Sequence, residues 1–204
     1  TVKATSMNLA SSYNNLSAIV LEKGDSQKAV RYGRKAIDIV KSMKNESHPN
    51  YAKFCNNISV CFYYSEELGF AKNYSKKTLK SIEKFYEQNS PELLEYYSNA
   101  SMIFSKAGDV NYAIDFAEKC ESIIKEHFNE KHQVLAKFHN RLSETYINLS
   151  DFDRATTHFE TAISIGEELL DKEDSELGRI YYNGFRIQKE LNNLLKEEEY
   201  LEKA

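Results

Sequence analysis

One interval, 42 residues, constrains this chain more than any other feature. It separates Ala29, Ala71, Ala113 and Ala155, and it also separates Ser17, Ser59, Ser101 and Ser143. Three positions after each serine stands an aromatic or branched residue: Val20, Phe62, Phe104 and Tyr146. Three columns in phase over four copies mark a stacked repeat, in which each unit buries its apolar face only against its neighbours.

Within a unit the apolar residues recur at helical spacing. Tyr13, Leu16 and Val20 form one stripe, and Ala29, Tyr32, Ala36 and Ile39 form a second. Between them lies Lys23-Gly24-Asp25-Ser26, a glycine helix stop followed by a capping residue. Each unit therefore reads as two antiparallel helices, brought close where serine faces alanine. With seven glycines, two prolines and no Pro-, Gly- or Ser-rich linker in 204 residues, the chain is expected to be all-α and a single domain spanning 1–204.

The phase predicts repeats over 7–48, 49–90, 91–131 and 132–173, with divergent capping helices over 174–204. The expected helices are 7–22, 26–44, 49–65, 68–87, 91–107, 110–128, 132–149, 152–170 and 175–191. Ser90-Pro91 and His48-Pro49 place proline at helix starts, where its missing N–H is harmless. Two expectations concern the end of the chain. Gly184 and Gln188 fall in apolar columns, and the tail Asn192-Asn193-Leu194 to Ala204 adds a short helix whose register does not continue the repeat.

These residues carry a family resemblance. Tyr13-x2-Leu16-Ser17-x2-Val20 followed by Ala29, and Leu142-Ser143-x2-Tyr146 followed by Ala155-x3-Phe159, resemble the tetratricopeptide repeat. The usual period is about 34 residues, so this repeat is longer by two helical turns. The long variant, with His-Pro between repeats and Asn-Asn-Leu in the first helix, is similar to the repeats of kinesin light chain; His48-Pro49-x2-Ala52-x3-Asn56-Asn57-Ile58 is the best local match. The pattern departs where the glycine turn is replaced by Glu66 and Ser150. The resemblance implies a right-handed α-solenoid whose first helices line a concave groove.

That placement gives meaning to a repeated anomaly. Asn14-Asn15 returns as Asn56-Asn57, although asparagine disfavours helix interiors because its amide competes for backbone hydrogen bonds. One column runs Asn15, Asn57, Asn99, Arg141, Asn183 and the other runs Asn14, Asn56, Ser98, Asn140, Tyr182. In the family, an asparagine at this phase hydrogen-bonds the backbone of an extended bound peptide, a use suited to an amide that both donates and accepts. The alternative is that these amides are solvated or bridge neighbouring repeats. Lys137 and Arg141, with Asn99 one repeat earlier, also resemble part of the clamp by which chaperone-binding members hold a peptide's C-terminal carboxylate. The resemblance thus implies a peptide-binding set of Asn15, Asn57, Asn99, Lys137, Asn140, Arg141, Asn183 and Arg186.

Charge refines the expectation. Lys53, Lys106, Lys137, Arg141, Arg179, Arg186 and Lys189 should face inward against Glu22, Glu95, Glu144 and Glu190, which predicts a mildly basic groove in a chain of net charge −4. Tyr63, Tyr64, Tyr182, Met102 and Ile147 are expected to offer apolar contact. The overall negative charge argues against a nucleic-acid partner, and no apolar run reaches the roughly 20 residues of a membrane span.

Nothing in the sequence points to catalysis, a metal site or a cofactor. Five histidines show no i, i+4 pair, no cysteine stands at metal-site spacing with them, and no phosphate loop or nucleophile signature occurs. His139 shares a column with Tyr13, Cys55 and Tyr97, so it is expected to pack between helices. Three cysteines within helical patterns read as packed, reduced thiols. That favours the cytoplasm, with the periplasm the alternative if an upstream signal has been removed. The function expected is a non-enzymatic protein-protein interaction module that takes a peptide or partner segment, acidic or C-terminal, into its groove. Two other readings stay open: a regulatory domain of a larger signalling protein that responds to a peptide, and a self-assembling scaffold.

Overall fold

The computed structural model describes residues 2–44, 48–128 and 132–204, which form ten α-helices. They are α1 (Val2–Glu22), α2 (Ser26–Ser42), α3 (Pro49–Tyr64), α4 (Leu68–Ile82), α5 (Leu94–Lys106), α6 (Val110–His127), α7 (Gln133–Asn148), α8 (Phe152–Leu169), α9 (Ser175–Glu190) and α10 (Leu194–Lys203). Each odd-numbered helix pairs with the even-numbered helix that follows, and each pair packs on the next. The expected repeat boundary at 131 lies outside the described residues. Three expected helices differ from those observed by more than two residues, and the first of them, α1, begins at Val2 rather than 7. α4 stops at Ile82 rather than 87, with residues 83–90 running as turns, and α5 is entered through a 3-10 turn at Pro91–Leu93. Proline restricts the backbone before it, which disfavours carrying helix into Ser90.

The turn inside each unit is built identically five times. The residues at 24, 66, 108, 150 and 192 all take left-handed φ angles: 84° at Gly24, 64° at Glu66, 79° at Gly108, 58° at Ser150 and 55° at Asn192. Each is followed by an N–H that reaches five residues back across the turn, as in Asp25 N to Val20 O at 3.2 Å and Asn193 N to Gln188 O at 2.9 Å. Losing the glycine at Glu66 and Ser150 therefore costs strain, about 1 kcal/mol each, without losing the turn. The same observation corrects the reading of the tail. Asn192 holds the turn and α10 begins in phase with α2, α4, α6 and α8, so the repeat register does continue and α10 is a short second helix of a fifth unit.

Caps recur in the same phase between units. His48 Nδ1 accepts from Asn50 N at 3.1 Å, His132 Nδ1 from Val134 N at 3.2 Å, and Asp174 from Glu176 N at 2.8 Å, each satisfying a free N–H at the start of a first helix. Inside the units the serine–alanine columns meet as expected. Ser17 Oγ donates to Ala29 O at 2.7 Å and Ser143 Oγ to Ala155 O at 2.9 Å, while Ser59 and Ser101 bond their own helix instead. The three cysteines are buried free thiols, and burial pushes the Cys61 thiol up to about 11.

Candidate functional site

Both asparagine columns lie on the first helices, one facing the unit before and one the unit after. Because each helix is offset by one unit from the next, the residue at position n+43 donates to the residue at n. Asn57 Nδ2 donates to Asn14 Oδ1 at 3.1 Å, Asn99 Nδ2 to Asn56 Oδ1 at 3.1 Å, and Asn183 Nδ2 to Asn140 Oδ1 at 2.7 Å. The remaining junction keeps the rung with altered parts, a longer donor meeting a shorter acceptor: Arg141 donates to Ser98 Oγ at 3.2 Å. The amides thus bridge neighbouring repeats, one rung at each of the four junctions. Asn15, whose counterparts all donate in this way, stands exposed on α1.

These rungs differ in how completely they are satisfied. Asn183 uses both ends of its amide, because its Oδ1 accepts from Arg186 at 3.3 Å, whereas the buried Oδ1 of Asn99 has no partner. Truncating Asn183 to alanine should therefore cost more than truncating Asn99, about 2 against about 1 kcal/mol, since a group left unpaired in the interior carries the desolvation penalty. Urea denaturation followed by circular dichroism measures the difference, and equal losses would reject the ladder as a graded source of stability.

The first helices and the segment joining α8 to α9 enclose a cavity of about 600 Å³ on the concave side. Of the residues implicated by resemblance, Asn57, Asn99, Lys137, Asn140, Arg141 and Asn183 line it, while Asn15 and Arg186 do not. Arg186 turns instead to Asn148 at 3.0 Å and to Glu144 at 3.7 Å. Of the expected apolar contacts, Tyr63 and Ile147 are buried in the packing away from the cavity, Met102 lines it although almost wholly buried, and Tyr64 and Tyr182 line it with exposed rings.

The cavity's charge also departs from expectation. Its wall carries Lys137, Arg141 and Arg179 against Glu22, Glu95, Glu144, Asp174 and Glu176, so it is not the mildly basic surface predicted from helical phase. The reason is pairing across units. Lys106 is drawn to Glu66 at 2.6 Å, outside the cavity, and the first turn of α9 adds Asp174 and Glu176 to the wall. The acidic first turn was legible as the cap column running through His48, Ser90, His132 and Asp174.

Within this wall one carboxylate is held by two cations. Lys137 Nζ lies 3.2 Å and an Arg141 guanidinium nitrogen 3.9 Å from the same oxygen of Glu95. Burial alone would push the Glu95 carboxyl up, but Arg141 and Lys137 outweigh it and hold it below the usual glutamate range. Burial, with Arg141 alongside, lowers Lys137. Next to this group, Glu176 accepts from Asn140 at 2.7 Å and faces Arg179 at 3.5 Å. Tyr64 is pushed up to about 12 by burial and by Glu144.

A second constellation was invisible as a motif. In the first and third units an aromatic pair, Tyr13–Tyr32 or Tyr97–Phe116, joins the two helices beneath a lysine, Lys35 or Lys119. In the fourth unit the pair is His139 and His158, and Thr161 replaces the lysine. Their Nδ1 atoms meet at 3.0 Å with ring centroids 5.2 Å apart, a nearly head-on N–H···N bond. Glu121 anchors it, taking His158 Nε2 at 3.2 Å and the Tyr146 hydroxyl at 2.7 Å. As expected, His139 packs between helices, and burial, then His158, drives it down to about 4.

Among the described residues no helix is long and apolar enough to cross a membrane, and no group of three histidine, cysteine or acidic side chains is placed to hold a metal ion.

Comparison with known proteins places the architecture. Models of the tetratricopeptide repeat match residues 9–50 and 136–168. A crystal structure of the putative kinesin light chain nearly identical TPR-like repeats of Podosopora anserina superposes with a TM-score of 0.67 at 16% identity, covering 97% of this chain and 92% of that one. BtubC (BKLC) from P. vanneervenii gives a TM-score of 0.61 at 16% identity, covering 99% of this chain and 89% of that one. No curated protein matches the sequence. A 42-residue phase, one turn built five times and tetratricopeptide-repeat matches at both ends of the stack show that this chain is built of tetratricopeptide-type repeats.

Proposed function

We propose that this chain is an interaction module and takes an extended segment of a partner protein into the concave cavity, with one acidic group of that segment seated between Lys137 and Arg141. The observation that supports it is the position of Glu95. Two cations share its single carboxylate, so the spot carries a local positive excess in an otherwise acidic wall, and it is already shaped to a carboxylate. A side-chain or C-terminal carboxylate entering from the cavity would displace Glu95, and the rings of Tyr64 and Tyr182 flank its path. The rest of the wall, rich in glutamate, selects against a run of acidic residues and for a segment with a single acid among neutral or basic neighbours.

The test is a peptide-display screen against wild type, with the enriched peptides titrated by fluorescence polarisation against Glu95→Gln and Lys137→Glu. Removing the internal competitor in Glu95→Gln should tighten binding, and reversing the charge in Lys137→Glu should weaken it by about tenfold, or 1.4 kcal/mol. Asn57 and Asn99 are poor positions for this purpose, since their amides hold the stack together. Enriched peptides that bind wild type and both variants alike would reject the acidic seat, and a screen that enriches nothing would reject the groove.

A further inference from the structure

Among the described residues, the even-numbered helices contribute nothing to the cavity wall and form the outer layer of the stack. Their exposed faces change sign along the chain. The column that begins at Arg34 continues as Lys76 and then becomes Glu118, Glu160 and Glu202, all of them exposed. α2 carries five cations against Asp38, and α4 carries Lys72, Lys76, Lys77 and Lys80 with no acid at all. α8 reverses the balance, with Asp153, Glu160, Glu167 and Glu168 against Arg154. A surface whose only task is solubility mixes the two signs, so this separation calls for another cause.

The cations of the first two units are also held in place without being neutralised. Arg34 lies over the rings of Phe62 and Phe70, 5.2 and 5.4 Å from their centroids, and so ties α2 to the next unit. Lys76 repeats this one unit later over Phe104 and Tyr112, at 5.9 and 5.8 Å. Lys35 rests on Tyr13 and Lys77 on Tyr74. A ring attracts a cation through its quadrupole but carries no net charge, so the stems are ordered while the positive potential survives. Arg34 has only a distant carboxylate, Glu67 at 3.8 Å, and Lys35, Lys76 and Lys77 meet none among the described residues. Phe70, half exposed beneath Arg34, adds an apolar surface within the patch.

We propose that the outer face of α2 and α4 binds a short acidic segment of a partner protein, in which aspartates or glutamates flank an apolar residue. The acids meet Arg34, Lys35, Lys76 and Lys77, and the apolar residue covers Phe70. Cations already ordered on rings lose little side-chain freedom on pairing, which favours binding. The acidic faces that follow decide between kinds of partner. At physiological salt, charges act over about 8 Å, so a bilayer or a nucleic acid, negative along its whole extent, also brings its charge against Glu118 and Glu160. A short segment stays within two units. The site lies outside the cavity and is independent of what the cavity holds.

The test is fluorescence polarisation with a labelled glutamate-rich peptide bearing one central phenylalanine, beside the same peptide with glutamine for glutamate. Wild type should bind the first and not the second, and raising salt from about 50 to about 200 mM should weaken binding several-fold, since exposed charges are screened. Lys76→Glu/Lys77→Glu should weaken it about tenfold. Glu118→Lys, which carries the basic column into the third unit, should strengthen it. All three positions are exposed, so circular dichroism should show the fold intact. Lys137→Glu, inside the cavity, should leave this binding unchanged. Phosphatidylserine vesicles and single-stranded DNA, added as competitors at equal charge, should displace the label less well than unlabelled peptide. A wild type that binds neither peptide, binding that survives the α4 variant or is lost in Lys137→Glu, or vesicles or DNA that compete as well as the peptide would each overturn the proposal.

Discussion

Replacing Gly184 with leucine is expected to lower the stability of the chain by about 3 kcal/mol, at the upper end of the usual cost of overpacking, and to release α10 from the stack. A Cβ at Gly184 would stand 2.6 and 2.7 Å from ring carbons of Phe159 and 3.0 Å from Tyr200. The cause is a size exchange between units. At the first junction a small residue on the second helix, Gly33, faces a large one on the next first helix, Ile58. At the last junction the order is reversed: Phe159 fills the space, and Gly184 is the residue that leaves room for it. Tyr200 then closes over Phe159, with ring centroids 5.2 Å apart. Denaturation by urea measures the loss, and limited proteolysis reports whether α10 has come free. The double variant Phe159→Ala/Gly184→Leu, which restores the small-against-large order, should recover part of the stability. If the double variant loses the sum of the two single losses, the exchange is not what sets Gly184.

Lowering the pH from 7 to 4 is expected to remove about 2 kcal/mol through the histidine pair. In the fold His139 stays neutral down to about 4, whereas in the unfolded chain it takes up a proton near 6.5. Between those values the unfolded state binds more protons, so stability is complete above about 6.5, falls as the pH drops through the window, and levels off near 4. The full shift corresponds to at most about 3 kcal/mol, and the ring's partial exposure reduces it. Glu121 is held down chiefly by its hydrogen bond from His158, so its own contribution is complete above the ordinary glutamate value of 4.5 and begins to be lost only at the acid end of the window. Arg154, on the same side of the fourth unit, is raised by its hydrogen bond to Asp151 and keeps its charge throughout. The variant His139→Tyr/His158→Phe reproduces the Tyr97–Phe116 pair that the third unit already tolerates, so it should fold and should flatten the pH slope. Thermal melts at half-unit intervals from pH 7 to 4 compare the two, and parallel curves would show that the pair does not set the response.

The parts of this protein that could be read from its residues are those repeated without change. The interval of 42, the serine–alanine contacts, the cap column and the helix pairs each depend on residues close in the chain or on a pattern copied whole. The asparagine columns mark the limit of such reading. Their positions were plain, but whether Asn57 and Asn99 faced a ligand or a neighbouring helix depended on the rotation between units, which places n+43 against n. Helical phase alone also overcounted the groove's cations, because it cannot show that Lys106 is bound to Glu66 or that Arg186 turns towards Asn148.

Periodicity in the residues was therefore enough to settle the architecture, since a unit that cannot bury its own apolar face must stack on copies of itself. Departures from the period required the fold to interpret. Arg141 proved to be a rung lengthened to meet a shortened Ser98, Gly184 a space left for Phe159, and His139 one half of a pair formed with a helix 19 residues away. In each case the meaning lies in a partner from another column. Which columns meet is set by how rigid helix pairs pack on one another, and no single repeat contains that information.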